Sequence, residues 1–444
     1  MDMNRFTTLL ILLVLLAPSC KKRTADAPGP ASTPVLWSRV YGGSNEDEAR
    51  SAAQTADGHY ILAGTTKSNS DDVTGHRGFG DAWVVKLTPA GEKLWARTYG
   101  GSGGDVAESV LVMPDGAIVF AGTTSSSNGD ISANRGNYDL WVTKLDANGD
   151  IRWSRTYGGT ASDEGHKIIA TADGGFVVAG TSQSTNGDVP GNNGSVNAWA
   201  IRLDGDGNIV WSKVFGGSYN DFFYAIAPSG DGGFVFGGST RSNDGDISGL
   251  HNTPTEGFDA WLLKTDGSGN KIWSKVYGGS KSDGAWEVIP NPDGSFLFAG
   301  STDSPDGDIS SPRGGVDSWL VKVDAAGTRT WSRVFGGTRS DNAVGMLRDT
   351  DGSLILAAAT TSNDGDLAAR GGTTASDLWI TRHDAAGNLL WSGTFGGTFF
   401  ESPQTLLRTA DGALLFAGGT GSNDGIISGA RGSTDLWALK VKVP

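Results

Sequence analysis

One cysteine, Cys20, is all that the 444 residues contain. No disulfide can form within the chain, and no cysteine-based metal site is available. Exported proteins commonly use disulfides, so this chain has to draw its stability from packing. Histidine is almost as scarce. The five (His59, His76, His166, His251 and His383) fall at unrelated places, and they form no metal-spaced pair or nucleophile–base arrangement. A phosphate-binding loop is also missing. No block of basic residues occurs, and the formal net charge is −14, spread thinly over many acids. Nucleic acid needs a basic patch or stripe and is excluded as a partner. Dispersed acidity of this kind serves solubility.

Glycine and tryptophan are abundant instead, at 68 and 15 residues. Such a chain needs many tight turns and many large flat side chains between packed layers. The N-terminus stands apart. Arg5 precedes a 12-residue apolar run, Phe6 to Ala17, which is too short to span a bilayer at about 20 residues. Ala17-Pro18-Ser19-Cys20 and then Lys21-Lys22-Arg23 follow. Residues 1–20 therefore read as an export signal. They resemble a bacterial lipoprotein signal, and the resemblance implies lipidation at Cys20 and anchoring to an envelope membrane. Residues 21–34, rich in Ala, Pro and Thr, read as a flexible tether. No later stretch is long and apolar enough to cross a membrane.

The rest of the chain repeats itself. A unit opening W-[SA]-x-x-[YF]-G-G-[ST] starts at Trp37, Trp95, Trp153, Trp211, Trp273, Trp331 and Trp391, with spacings of 58 residues in four intervals and 62 and 60 in the others. Each unit divides into four short apolar runs. In the unit at 163–215 these are Lys167 to Thr171, Phe176 to Thr181, Ala198 to Leu203 and Ile209 to Phe215. An Asp-Gly pair separates the first two runs in all seven units, from Asp57-Gly58 to Asp411-Gly412, and is a strong hairpin signal. A second turn keeps glycine at 91, 149, 207, 269, 327 and 387. Four-stranded sheets repeated radially make a β-propeller. The predicted fold is all-β: seven four-stranded antiparallel blades over residues 35–444.

Fourteen of the fifteen tryptophans form register-matched pairs, such as Trp83 with Trp95, that would bring two indoles together on the outer strands. The ends complete the ring. A lone fourth-type strand, Leu36 to Tyr41, opens the array, and a lone third-type strand, Leu436 to Val443, closes it. The N-terminal strand is therefore expected to complete the last blade, with Trp37 as the missing partner of Trp437, and to remove an exposed sheet edge.

The units, with GG-[ST]-x-x-[DE], then DG, then G-[TS]-[TS], resemble the bacterial seven-bladed β-propeller repeat family of exported lipoproteins. The run Lys144 to Trp153 is similar, more distantly, to quinoprotein-type propeller repeats, whose hairpins dock neighbouring blades. That second resemblance would imply a calcium-held quinone, but no residue set here matches such a site.

Three groups of residues are candidates for function. Asp47, Asp105, Asp163, Asp221, Asp283 and Asp341, with Glu401, recur before the innermost strand. They either cap their own loops or form a metal ring at the channel mouth. The loop runs typified by Asn128-Gly129-Asp130 are rich in oxygen and make calcium a candidate. They lack the full EF-hand pattern. Asp81, Asp139, Asp259, Asp317, Asp377 and Asp435 read as structural turn acids, and Asn197 replaces the seventh. The third group lies three residues past the ring acid. There the chain places Arg50, Glu108, His166, Tyr224, Trp286, Val344 and Gln404, while the flanking positions stay uniform. A frame that is kept while one position varies is where a ligand is read. Tyr224 and Trp286, with Tyr219, Phe222 and Phe223 nearby, suit a sugar ring or a peptide.

The expectation is a non-catalytic binding or scaffold propeller, exported, monomeric, tethered through Cys20, needing no cofactor, and presenting its loop face to a protein or glycan. The alternative is a carbohydrate-active or quinone-dependent propeller enzyme. A polar pocket that breaks the repeat symmetry and holds a perturbed carboxylate would favour it.

Overall fold

The computed structural model describes residues 34–367 and 375–444. The export signal, Cys20 and the tether up to residue 33 lie outside the described residues. Among the described residues, twenty-eight strands form seven separate four-stranded antiparallel sheets. The fold is a seven-bladed β-propeller. Blade 3 shows the plan: Asp163–Ala170, Phe176–Ser182, Asn197–Leu203 and Ile209–Phe215, paired in that order. The innermost strand starts at Asp163, earlier than the apolar run at Lys167, because the ring acid is its first residue. The two middle strands are buried on both faces, as in a sheet sandwiched between neighbours, whereas the fourth is half-exposed.

Local chemistry explains the turns. Gly58, Gly116 and Gly174 of the Asp-Gly hairpins have φ of 85°, 82° and 83°, a region costly for other residues. Apolar cores lie between blades rather than within one. At the blade 7–blade 1 junction, Leu415, Ala417 and Leu436 pack with Ala49, Leu62, Trp83 and Val85.

The tryptophans pack between the blades as expected, but not as pairs. Paired indoles do not meet: Trp83 lies opposite Thr98, and Trp95 lies opposite Lys86. The third-strand tryptophans are buried within the inter-blade cores. Trp141 and Trp199 donate their Nε1–H to Ser154 and Ser212 of the fourth strand at 2.8 and 2.9 Å. Fourth-strand tryptophans reach the next blade. Trp37, Trp153, Trp211 and Trp273 pack against Tyr60, Phe176, Phe234 and Phe296. They also cover the second turn: a Cβ on Gly207 would lie 3.1 Å from Trp153, so glycine there leaves room for the indole.

Ring closure follows the expectation in topology. Blade 7 runs Val35–Tyr41, Asp435–Val441, Leu414–Thr420, Glu401–Arg408, so one blade is built from both ends of the array. The register differs in detail: Trp437 faces Val40 and Trp37 faces Lys440. The Trp437 Nε1–H donates to Ser38 Oγ at 2.9 Å.

Candidate functional site

All seven innermost strands slip register at one residue, and it is the variable one. The slip falls between Ala49 and Ser51, Ala107 and Ser109, Gly165 and Lys167, Phe223 and Ala225, Ala285 and Glu287, Ala343 and Gly345, and Pro403 and Thr405. Each skipped residue is the extra residue of a β-bulge, a device that re-aims a side chain. The result is convergence. Arg50, Glu108, His166, Tyr224, Trp286, Val344 and Gln404 line one cavity of about 190 Å³ on the propeller axis. The six ligand-binding candidates are thus brought together. Lys167 and Glu287 join them and form an ion pair at 3.1 Å across the channel.

This cavity is polar and asymmetric. Arg50 pairs with Glu48 at 3.2 Å. Burial raises the Glu108 carboxyl, the Arg50 charge opposes the shift, and Glu164 and Glu48 reinforce it. Glu164 is raised chiefly by burial and next by Asp163. Burial pushes His166 down to about 4, so its imidazole is neutral at pH 7. Its ring lies 5.1 Å from that of Tyr224, whose phenol burial raises to about 12.

Tyr224 and Trp286 are also the wall between this cavity and a second space. A cleft of about 360 Å³ between blades 4 and 5 is lined by Phe222, Tyr224, Phe258 and Trp286, with polar groups from Ser239, Ser282, Ser301, Asp303 and Asn342. The four aromatics are half-buried. Tyr224 and Trp286 meet edge to face at 5.2 Å, and Phe222 stacks on Tyr224 at 5.8 Å and leans on Phe258 at 5.6 Å. Trp286 Nε1–H donates to Ser301 Oγ at 3.1 Å, which fixes the indole plane. The Arg241 guanidinium covers Phe258 at 4.0 Å, and its Nε has no hydrogen-bond partner. Phe223, a candidate neighbour, points away into the core between Phe236 and Trp261. Tyr219 stays exposed on its loop. Phe258 and Arg241 were missed because they sit beside loops of uneven length. Only the repeat register reveals them: where other units have Gly80, Tyr138, Val196 or Val316 beside the third strand, this one has Phe258.

The ring acids do not converge. Asp47, Asp105, Asp163, Asp221, Asp283 and Asp341 are buried in six separate blades. Each accepts hydrogen bonds within its own unit, although Asp283 Oδ1 is buried without a partner. Asp163 accepts from Gly159 N and Ser184 Oγ, both at 2.7 Å, and from Ser182 Oγ. Asp221 accepts from Gly217 N and Ser242 Oγ, both at 2.8 Å. The loop-capping role is therefore the one their hydrogen bonds display. In the oxygen-rich loops, Asn128 Oδ1 accepts from Ser102 N at 2.8 Å, and Asp130 Oδ2 accepts from Gly100 N and Arg77 at 3.0 and 2.9 Å. Among the described residues no group of three or more His, Cys, Asp or Glu is arranged to hold a metal ion. No helix among them is long and apolar enough to cross a membrane.

A propeller whose seven bulged strands aim unlike side chains into one channel defines the class. Known proteins place the chain no more narrowly. No protein-family model matches it. It is 25% identical over 320 residues to the regulatory protein FlaEY of Caulobacter vibrioides, covering 64% of this chain and about a third (33%) of that protein's length. Among solved structures it is similar to Sqt1 from Chaetomium thermophilum, with 13% identity, TM-score 0.46, 93% of this chain and 99% of that one covered. The polysaccharide lyase Uly1 is another, with 8% identity, TM-score 0.47, and 91% and 92% covered. These structural likenesses concern the propeller fold alone.

Proposed function

We propose that this protein is a non-catalytic binding propeller whose aromatic cleft takes a glycan. The cleft itself carries the reading: four half-buried aromatic rings face a space of about 360 Å³, large enough for a small ligand. Aromatic faces suit the apolar C–H face of a sugar ring. Ser239, Ser282 and Asn342 offer hydroxyl and amide groups for sugar hydroxyls. That a relative is named a regulatory protein agrees with a role exercised by binding. The resemblance of residues 1–20 to a lipoprotein signal supports export and anchoring through Cys20, which would hold the propeller at an envelope membrane as a monomer.

The test is binding of residues 35–444 to a glycan and envelope-protein array, with calcium and with chelator. Glycan binding lost in Trp286→Ala and Phe222→Ala supports the reading. Binding only to proteins would assign the loop face to a protein partner. Loss under chelator would add a calcium site. No binding in either condition would sink the cleft as a ligand site.

One observation favours a second reading, a carbohydrate-active enzyme. The channel breaks the repeat symmetry and holds Glu108, a carboxyl raised by burial beside Arg50. Turnover of any bound oligosaccharide, abolished by Glu108→Gln, would establish it. Binding without turnover in both proteins would dismiss it.

A further inference from the structure

The turn acids of the third strands face a slot that wants a hydrogen. Asp81, Asp139, Asp317 and Asp435 each accept a backbone N–H at Oδ2, from Arg77, Arg135, Arg313 and Arg431 at 3.0, 2.9, 2.8 and 2.7 Å. Their other oxygen, Oδ1, has no hydrogen-bond partner, although these residues are at most 1% exposed. A bare buried carboxylate oxygen is costly. The ring acid of the next blade makes it costlier. A Cβ on Gly336 would lie 2.5 Å from Asp317 Oδ1 and 2.6 Å from Asp341 Oδ2, so two acids flank one glycine across the blade junction. Asp435 and Asp47 flank Gly42 in the same way, at 2.5 Å each.

Two junctions show what fits. In blade 3 Asn197 replaces the acid. With its Nδ2 turned inward, this amide donates towards the carbonyls of Val196, Gly217 and Tyr219 at 3.0, 3.2 and 3.3 Å. At the next junction the acid is kept as Asp259, and Asn252 fills the slot from outside. Its Nδ2 donates to Asp259 Oδ1 at 3.0 Å and to Lys281 O at 2.8 Å, and Lys281 is the register match of Tyr219. In both cases a neutral N–H donor lies between the acid position and the backbone carbonyls. At the matching junction the register-equivalent carbonyls of Ala161 and Gly159 lie 1.8 and 3.1 Å from where a Cβ on Gly136, three residues before Asp139, would sit.

We propose that in mildly acidic solution Asp81, Asp139, Asp317 and Asp435 are held as neutral carboxylic acids, each donating its Oδ1–H to a backbone carbonyl across the blade junction, so that under those conditions the ring binds protons as it closes. The surrounding charges agree. Asp139 is pushed up to about 6, by burial first and by Asp163 next, against Arg135. Asp317 is pushed up to about 6, by burial and by Asp341, against Arg313. Asp81 is raised by burial and Asp105 and lowered by His76 and Arg77. Asp435 is raised by burial and Asp72 and lowered by Arg431. Asp47 faces it from the next blade and is raised in turn by burial and by Asp435. The Arg135 guanidinium is itself held by Gly158 O and Asp188, and Arg431 by Gly42 O and Asp72.

The sign follows from linkage. Between the ordinary carboxyl value near 4 and about 6, the folded chain holds protons that the unfolded chain has released, so these sites lose stability as pH rises. His166 and His383, pushed down to about 4 by burial, act in the opposite direction over the same range. The test is therefore a difference: urea unfolding of wild type and of Asp81→Asn/Asp139→Asn/Asp317→Asn/Asp435→Asn from pH 4 to 8. The variant should match wild type at pH 4 and exceed it at pH 8. For Asp139 or Asp317 alone the gain is about a hundredfold in the unfolding constant, from the rise of about two units. Should the fourfold variant not fold, Asn197→Asp serves in reverse: it should cost stability at pH 8 and little at pH 5. Parallel curves for these variants would overturn the proposal. Stabilisation of wild type, but not of the variant, by calcium at pH 8 would also overturn it, because the slots would then hold a cation.

Discussion

Removing residues 35–41 should open the ring, and the size of the effect can be worked from what that strand touches. Six of its residues pair with the Asp435–Val441 strand. Tyr41 is 5% exposed, and burying such a side chain contributes about 2–3 kcal/mol. Its hydroxyl donates to Gly91 O. Trp37 Nε1–H donates to Pro89 O at 3.0 Å, and Ser38 Oγ accepts from Trp437 Nε1–H at 2.9 Å. Each of these three bonds is worth about 1 kcal/mol net. With part of the Trp37 face packed on Tyr60, the total is about 6–8 kcal/mol. That is comparable to the whole stability of an ordinary domain, about 5–15 kcal/mol. The deletion should therefore lose cooperative thermal unfolding by circular dichroism, and the bared edge should promote aggregation. Tyr41→Phe is the mild control. It should fold and lose about 1 kcal/mol, because Phe215 and Phe335 already stand at the matching positions. A deletion variant melting like the full chain would refute the closure account.

Other outcomes follow from single contacts. Trp83 Nε1 is buried without a partner because Ala96 stands where other units have serine, so Ala96→Ser should raise stability by about 1 kcal/mol in urea titrations. Ser154→Ala should lower it by about 1–2 kcal/mol by stranding the Trp141 N–H. Gly122→Ala would place a Cβ 1.9 Å from Val106 O and should cost about 3 kcal/mol or prevent folding, read as loss of soluble protein. His166→Phe keeps a ring in the channel and removes a group that resists protonation. Relative to wild type it should gain stability as pH falls from about 6.5 to about 4, measured by thermal melts.

How much was legible beforehand depended on whether the repeat encoded it. Blade number, turn glycines and closure by the N-terminal strand could all be read from recurring residues, because sevenfold recurrence averages out local ambiguity. The convergence of Arg50, Glu108, His166, Tyr224, Trp286 and Gln404 was legible as variation inside a fixed frame. Its cause, the bulge in each innermost strand, was not, since one extra residue leaves no mark when every unit carries it. The pairing of indoles was misjudged for a related reason. Equal spacing told that Trp83 and Trp95 recur together, but not that a bulge beyond Lys86 offsets the hairpin and sends Trp95 to the next blade's turn. Phe258 and Arg241 escaped because they appear once, and the slot beside Asp139 escaped because it is built from backbone carbonyls, which no side-chain pattern displays.

The most direct test of the binding reading is a crystal structure of residues 35–444 grown with an oligosaccharide retained on the array. The account predicts a sugar ring against Trp286 and Phe222, with its hydroxyls near Ser282 and Asn342. A ligand seated elsewhere, with the cleft between blades 4 and 5 holding only solvent, would contradict it.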